Sequence, residues 1–251
     1  MSTPAFADAL RARRPLLGCI VTQPVPDFAE LYAAAGWDWL LLDLEHGLLD
    51  LADCQRLDQA APALASVVRV PSLEGNWLAR ALDTGVAGVM VPRMQDAAQA
   101  AAAVRQAKYP PLGERGVGLA RATRWGAAIP GVVTEANRAT ALLLQIEDAT
   151  GVAHADAIAR TPGVDALFLG PFDLSTSLGV PGQLDAPVVR EAVARVRTAA
   201  EAAGLPLGIL APTAAGARQA IAEGYTPLLV GADLPMLAGA ARALREAIGD
   251  A

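Results

Sequence analysis

Two apolar runs that each end in a carboxylate are the stretches of this chain best suited to chemistry: Ala141-Leu142-Leu143-Leu144-Gln145-Ile146-Glu147 and Ala166-Leu167-Phe168-Leu169-Gly170-Pro171-Phe172-Asp173. An Ala-rich helical pattern lies between them and closes at Thr161-Pro162-Gly163. A strand–helix–strand unit makes its two strands parallel and usually adjacent, and near-continuous apolar strands belong to a sheet buried on both faces. Adjacent strands lie ~4.8 Å apart, so Glu147 and Asp173 come close enough to share a cation. Without one they repel, and one of them keeps its proton. A hard divalent metal resolves the conflict most simply. The competing reading makes both carboxylates helix N-caps; it is weakened because Asp148 and Ser175 already offer caps beside them.

Three further groups fall where a strand gives way to a loop. His46 follows an apolar run and comes three residues after Asp43, close enough for a carboxylate to orient an imidazole as general base. A lone histidine is usually hydrogen-bonded in its loop, but the company of Arg69 and the acidic pair favours the catalytic role. Arg69, between Val68 and Val70, is costly inside a fold unless paired. It is either an ion-pair partner for Asp43 or Glu45 or a holder of substrate oxyanion. Backbone amides at Gly170-Pro171-Phe172-Asp173, a strand-to-helix junction, suit a carboxylate. A metal beside a carboxylate nest points to a 2-oxo acid, whose adjacent C–H the metal acidifies.

These groups need elements to position them, and the chain supplies eight strand-helix units. The strands are expected at 16–22, 39–44, 66–70, 88–92, 141–147, 166–173, 207–210 and 228–230, with helices between them. Continuous alternation implies a parallel α/β architecture. Eight units favour a closed (β/α)8 barrel over an open doubly wound sheet, with chemistry where strands end. The 251 residues suit one such domain spanning 1–251. Asp96 and Gln99 predict a capping box for the helix ending at Ala107. The stretch 109–137, rich in Pro, Gly and Arg, breaks the rhythm and is expected to be an irregular active-site loop. A last helix runs over 235–248.

Composition removes several classes of function. The chain is 53% hydrophobic, largely through alanine, yet Gly, Pro or charge interrupts every apolar run before the ~18 residues of a membrane span. A formal charge of −6 with dispersed acids argues against nucleic acid. Cys19 and Cys54 are too few for a disulfide framework, and 1–17 has no apolar core of a secretory signal, so a cytoplasmic protein is expected. Lys108 is the only lysine and closes a helical run, which speaks against Schiff-base chemistry. With two histidines, a His-rich zinc site is excluded too, and His154 is expected on a helix as a surface or packing residue.

Several motifs in the same order over almost the whole chain resemble the HpcH/HpaI aldolase family, the metal-dependent (class II) pyruvate aldolases. They are Trp37-Asp38-Trp39-Leu40, Asp43-Leu44-Glu45-His46, Tyr109-Pro110-Pro111, Arg115-Gly116-Val117-Gly118, Gln145-Ile146-Glu147 and Gly170-Pro171-Phe172-Asp173-Leu174-Ser175. The resemblance implies a (β/α)8 barrel that cleaves 4-hydroxy-2-oxo acids to pyruvate or hydroxypyruvate plus an aldehyde through a metal-stabilised enolate. It implies Glu147 and Asp173 as ligands of Mg2+, Mn2+ or Co2+, and Arg69 as the residue steadying the enolate. His46, paired with Asp43, becomes the acid/base, Gln145 lines the pyruvate site, and the backbone near Gly170, Phe172 and Asp173 takes the carboxylate. It further implies a hexamer, a trimer of dimers exchanging the last helix, with Asp83 approaching a neighbouring site.

The chain departs from the family pattern at Gly18-Cys19-Ile20-Val21, at 119–125 and at Phe172, all on the aldehyde side of the pocket. Gly208-Ile209-Leu210-Ala211-Pro212 is similar to members acting on a sugar acid. Rival outcomes on the same scaffold are oxaloacetate decarboxylation and acyl-CoA cleavage, the latter with a basic rim from the 115–138 region. A non-catalytic 2-oxo acid sensor is the rival from another class.

Overall fold

The computed structural model describes residues 3–249 and closes eight parallel strands into a barrel in sequence order. The strands are β1 (Leu17–Val21), β2 (Trp39–Asp43), β3 (Ala65–Arg69), β4 (Gly88–Val91), β5 (Ala141–Ile146), β6 (Ala166–Leu169), β7 (Leu207–Leu210) and β8 (Leu228–Ala232). The helices begin with α1 (Thr3–Arg11), α2 (Pro26–Ala34), α3 (Leu51–Ala60), α4 (Trp77–Asp83), α5 (Ala97–Ala107) and α6 (Ile129–Ala139). They continue with α7 (Ala149–Ala153), α8 (Ala155–Ala159), α9 (Pro171–Ser177), α10 (Pro187–Ala202), α11 (Ala214–Ala222) and α12 (Asp233–Ile248). The expected (β/α)8 barrel is the fold.

Side chains alternate between the two faces of a strand, and here the alternation sorts them into two cores. Trp39 and Leu41, Ala65 and Val67, Ala141 and Leu143, and Ala166 and Phe168 form one core with Met90 and Leu229. Leu40, Leu42, Val68, Leu142, Leu144, Leu167 and Leu169 join the other, which includes the buried faces of the surrounding helices. Helix α1, unforeseen in the sequence, belongs to the first: Phe6 and Leu10 are fully buried there, and the Phe6 ring lies 5.7 Å from that of Trp39. Burying a side chain of that size stabilises the fold by about 2–3 kcal/mol. Gly18 is required beside Trp39, since a Cβ there would lie 2.3 Å from the indole.

Continuing the inward columns by one or two steps reaches Asp43 on β2, Arg69 on β3, and Gln145 and then Glu147 at the end of β5. The functional residues are the top layer of the barrel interior. Register fixes their neighbours: Asp43 pairs with Arg69 across β2–β3, and Gln145 with Phe168 across β5–β6.

Three expectations change. The second carboxylate run is not strand throughout: β6 stops at Leu169, and Pro171 opens α9, so Asp173 sits in the first turn of a helix. Proline is preorganised for that position, because it lacks only an N–H with no helical partner. The 109–137 stretch is not wholly irregular; it holds a short 3-10 turn at Arg121–Thr123 and most of α6, again with proline in the first turn. In the capping box before α5, Asp96 accepts from the Gln99 amide at 2.8 Å as expected, but the Gln99 side chain accepts from Gln95, not Asp96.

Lys108 is buried, donating to Asn137 O, Thr140 O and the Asp165 carboxylate at 3.1, 2.8 and 2.7 Å. It is a structural clamp, in keeping with the exclusion of Schiff-base chemistry. Helix α12 is anchored by buried Asp233, which accepts from Thr22 N at 2.7 Å and Thr22 Oγ1 at 2.9 Å. Beyond that residue the helix is exposed, including Leu234, Leu237, Leu244 and Ile248. Among the described residues, no helix is long and apolar enough to cross a membrane.

Candidate active site

A cavity of about 320 Å³ opens at the ends of the strands, lined by Glu45, His46, Arg93, Glu147, Asp173 and the start of α7 with the end of α9. Glu147 and Asp173 are thus brought together, the first from the end of β5 and the second from α9.

Glu147 is nearly buried and held at both oxygens: Arg93 N donates to Oε1 at 2.8 Å, and Gln145 Nε2 donates to Oε2. Burial, then the Glu45 carboxylate and, to a lesser degree, Asp173 push its pKa up to about 7, against the opposing pull of the Arg93 amide and Arg69. The folded state therefore binds this proton more tightly than the unfolded chain, so metal-free stability falls as pH rises from 4.5 through about 7. The fall is on the order of 3 kcal/mol. Melting of chelator-treated protein at pH 5 and pH 8 should register it, and the Glu147→Gln variant should lose that difference.

Gly170 makes this arrangement fit. A Cβ there would lie 2.8 Å from Glu147 Oε2 and 3.0 Å from Gln145 Nε2. Its φ of −98° is open to any residue, so Gly170→Ala should fold normally yet displace the carboxylate. On the expectation that Glu147 holds a divalent cation, the result should be a roughly 10-fold or greater weakening of Mn2+ binding, the effect of losing a ligand's supporting contact, read by titration calorimetry.

Arg69 and Asp43 form a bidentate pair, Nε to Oδ1 at 2.9 Å and Nη2 to Oδ2 at 2.6 Å. Arg69 Nη1 also lies 3.4 Å from Glu45 Oε2 and 3.5 Å from Gln145 Oε1. Burial opposes its charge, but Asp43, with Glu45 and Glu147, raises its pKa above the ordinary arginine value. Both ion-pair partners weighed for Arg69 are in place, with Nη1 directed at Gln145 beside Glu147.

His46 is placed differently from expectation. Asp43 Oδ1 accepts the backbone amides of Glu45 and His46 at 3.0 and 3.3 Å, while the imidazole Nε2 lies 3.8 Å from Glu45 Oε2. The carboxylate nearest the ring is therefore Glu45, because Asp43 Oδ1 faces the main-chain amides of the turn after β2 and both Asp43 oxygens are engaged by Arg69. The ring stays exposed at the mouth of the cavity. Phe172 is also exposed. Asp83 lies outside this cavity: it takes a hydrogen bond from Arg115 Nη2 at 2.6 Å and lines a separate hollow of about 500 Å³. His154, with Nδ1 2.9 Å from Gln95 O, is a surface residue, but it sits in the break between α7 and α8 and not within a helix.

Two residues carry more than the sequence suggested. Glu45 bridges Arg69, Arg93 and His46, and its buried Oε2 accepts no hydrogen bond, although Arg69 Nη1 lies 3.4 Å away. Arg93 adopts a left-handed conformation, φ 54°, that aims its amide at Glu147. The rule that flags Arg69, a guanidinium at a strand end, also flags Arg93, two residues beyond β4.

The sequence profile of the HpcH/HpaI aldolase/citrate lyase family matches residues 17–240. The chain belongs to this family. Among its HpcH/HpaI relatives, a 5-keto-4-deoxy-D-glucarate aldolase of Klebsiella pneumoniae is 38% identical over 244 residues, covering 96% of this chain and 95% of the relative. A hydroxypyruvate/pyruvate aldolase of Delftia acidovorans is 41% identical over 249 residues, covering 97% and 92%. A crystal structure of an HpcH/HpaI aldolase/citrate lyase family protein from Burkholderia cenocepacia superposes with a TM-score of 0.92 at 38% identity, covering 98% of this chain and all of that one. This HpcH/HpaI member is an aldolase, a carbon–carbon lyase, on a (β/α)8 barrel.

Proposed function

We propose that the enzyme cleaves, and in reverse forms, 4-hydroxy-2-oxo acids, yielding pyruvate or hydroxypyruvate and an aldehyde, with a divalent cation held by Glu147 and Asp173. The observation that carries this is the meeting of those two carboxylates in one cavity beside Arg69 and Gln145. Their chemistry fits a hard cation. Burial and the neighbouring acids disfavour the charge on Glu147, which a cation would reverse. Among the described residues no group of three His, Cys, Asp or Glu side chains could enclose a metal. Two carboxylates suit Mg2+, Mn2+ or Co2+, which keep open positions for water and substrate. When bound, the cation would draw electrons from the ketone and carboxylate of the 2-oxo acid and acidify the neighbouring C–H.

The protein's own groups supply the rest. The 2-oxo acid carboxylate lies against the backbone amides of Phe172 and Asp173 in the first turn of α9, since Pro171 has no N–H and the Gly170 amide donates to Ile146 O at 3.2 Å, with Gln145 beside it. His46 takes the proton of the 4-hydroxyl, the C3–C4 bond breaks, and the aldehyde leaves with the new carbonyl. Its bonding pair passes to the ketone oxygen as an enolate, whose charge Arg69 stabilises. Protonation at C3 then gives pyruvate. Asp43 holds Arg69 in position and fixes the turn that carries His46.

The CoA-lyase alternative is not favoured: three of the four arginines of its rim, Arg115, Arg121 and Arg138, are paired with carboxylates at 2.6, 2.5 and 3.6 Å. The decarboxylase and sensor alternatives are likewise not favoured by relatives that are themselves aldolases. The whole chain is proposed to act as one cytoplasmic barrel domain with 109–137 at its active-site rim. The exposed apolar side of α12 supports exchange of that helix between subunits of a hexamer, in which Asp83 serves a neighbour's site. A cleavage assay on 4-hydroxy-2-oxo acids tests the function. Pyruvate and aldehyde should appear in equal amounts, stop with chelator and return with Mn2+; carbon dioxide without aldehyde would contradict it.

A further inference from the structure

We propose that Arg93 is a specificity residue that binds a carboxylate on the acceptor aldehyde, so that the substrates of this enzyme are 4-hydroxy-2-oxo acids with a second acidic group. This rests on the aldol chemistry proposed above. Glu45 lies between two guanidiniums: Arg69 Nη1 is 3.4 Å from Oε2, and Arg93 Nη2 is 3.2 Å from Oε1. Arg69 is buried at the pyruvate end with 11% of its side chain exposed, whereas Arg93 is 69% exposed at the mouth. One carboxylate thus separates an inner cation, committed to Asp43, from an outer cation.

The outer guanidinium has five N–H donors, and its pair with Glu45 engages one of its nitrogens. Arg93 lines the mouth of the cavity with His46, Thr176 and Ser177, on the part not assigned to the 2-oxo acid. A short acid there would find a fork-shaped donor suited to its two oxygens. The left-handed backbone of a bulky residue is uncommon and is held here by the hydrogen bond from its amide to Glu147. That bond ties the outer arginine to the inner site, so the two halves of the substrate are read by adjoining parts of one turn.

The test compares pyruvate addition to glyoxylate, which is anionic, and to glycolaldehyde, which is neutral and of similar size, in wild type, Arg93→Gln and Arg93→Lys. Arg93→Gln should lower the ratio of kcat/KM for glyoxylate over glycolaldehyde at least tenfold, mainly through KM for glyoxylate, and Arg93→Lys should recover part of it. An unchanged ratio, or an equal fall with both aldehydes, would overturn the assignment and leave Arg93 as a support for Glu147. Metal-dependent deuterium exchange of pyruvate by the wild type separates the two levels. Exchange with an unmoved ratio refutes only the role of Arg93, whereas no exchange refutes it together with the aldol chemistry.

Discussion

Replacing Arg69 by alanine is expected to lower kcat by about 100- to 1000-fold, the effect of removing a donor aimed at charge that develops in the transition state. The same substitution should destabilise the fold by about 3–5 kcal/mol, because Asp43 would remain as a buried carboxylate without its cation. The two effects come apart in the double variant Arg69→Ala with Asp43→Asn. Neutralising the orphaned carboxylate should restore much of the melting temperature but none of the turnover. Recovery of both together would make Arg69 a structural residue alone. Arg69→Lys should keep the charge yet lose the fork-to-fork pairing with Asp43, giving an intermediate loss.

The fold was legible because its strands are apolar runs with sharp ends. The expected span of β7 is the observed Leu207–Leu210, and the inward alternation on β2, β3 and β5 leads directly to Asp43, Arg69, Gln145 and Glu147. Asp173 is close to Glu147 as expected but reaches it from a helix, and Gly170-Pro171 was the signal that the strand had ended. Helix α6 was hidden by Pro130 and Gly131 in its first turn, where both residues are tolerated. Helix α1 is only nine residues long, and the pair Phe6 and Leu10, spaced to face one side, is too short an apolar period to announce it. The partner of the His46 ring was not legible, since a spacing of three places Asp43 near its backbone as easily as near its imidazole. Only the turn geometry decides, and it brings Glu45 to the ring.

The second large effect concerns the carboxylates themselves. Glu147→Ala and Asp173→Ala should each reduce metal-dependent cleavage by about a thousandfold, since Lewis-acid assistance is worth several kcal/mol. The two variants should nevertheless be at least as stable as the metal-free wild type near neutral pH. Glu147→Ala removes the buried acid whose charge is disfavoured, and Asp173→Ala removes one of the neighbouring charges that disfavour it. Loss of activity with retained or raised melting temperature is therefore the expected signature. Full activity in both variants after metal removal would refute the assignment of these residues as ligands. A loss of activity accompanied by unfolding would instead point to N-cap or packing roles.

The central claim is that this barrel generates an enolate from a 2-oxo acid with the help of a cation held by Glu147 and Asp173, and it can be tested without knowing the aldehyde. Deuterium exchange of the pyruvate methyl protons, followed by NMR with the protein stripped of metal and then supplied with Mg2+ or Mn2+, asks for that step alone. The account predicts no exchange without metal, exchange on its addition, and none in Glu147→Ala under either condition. Folded wild-type protein that fails to exchange pyruvate with either metal, or that exchanges it equally well without one, would contradict it.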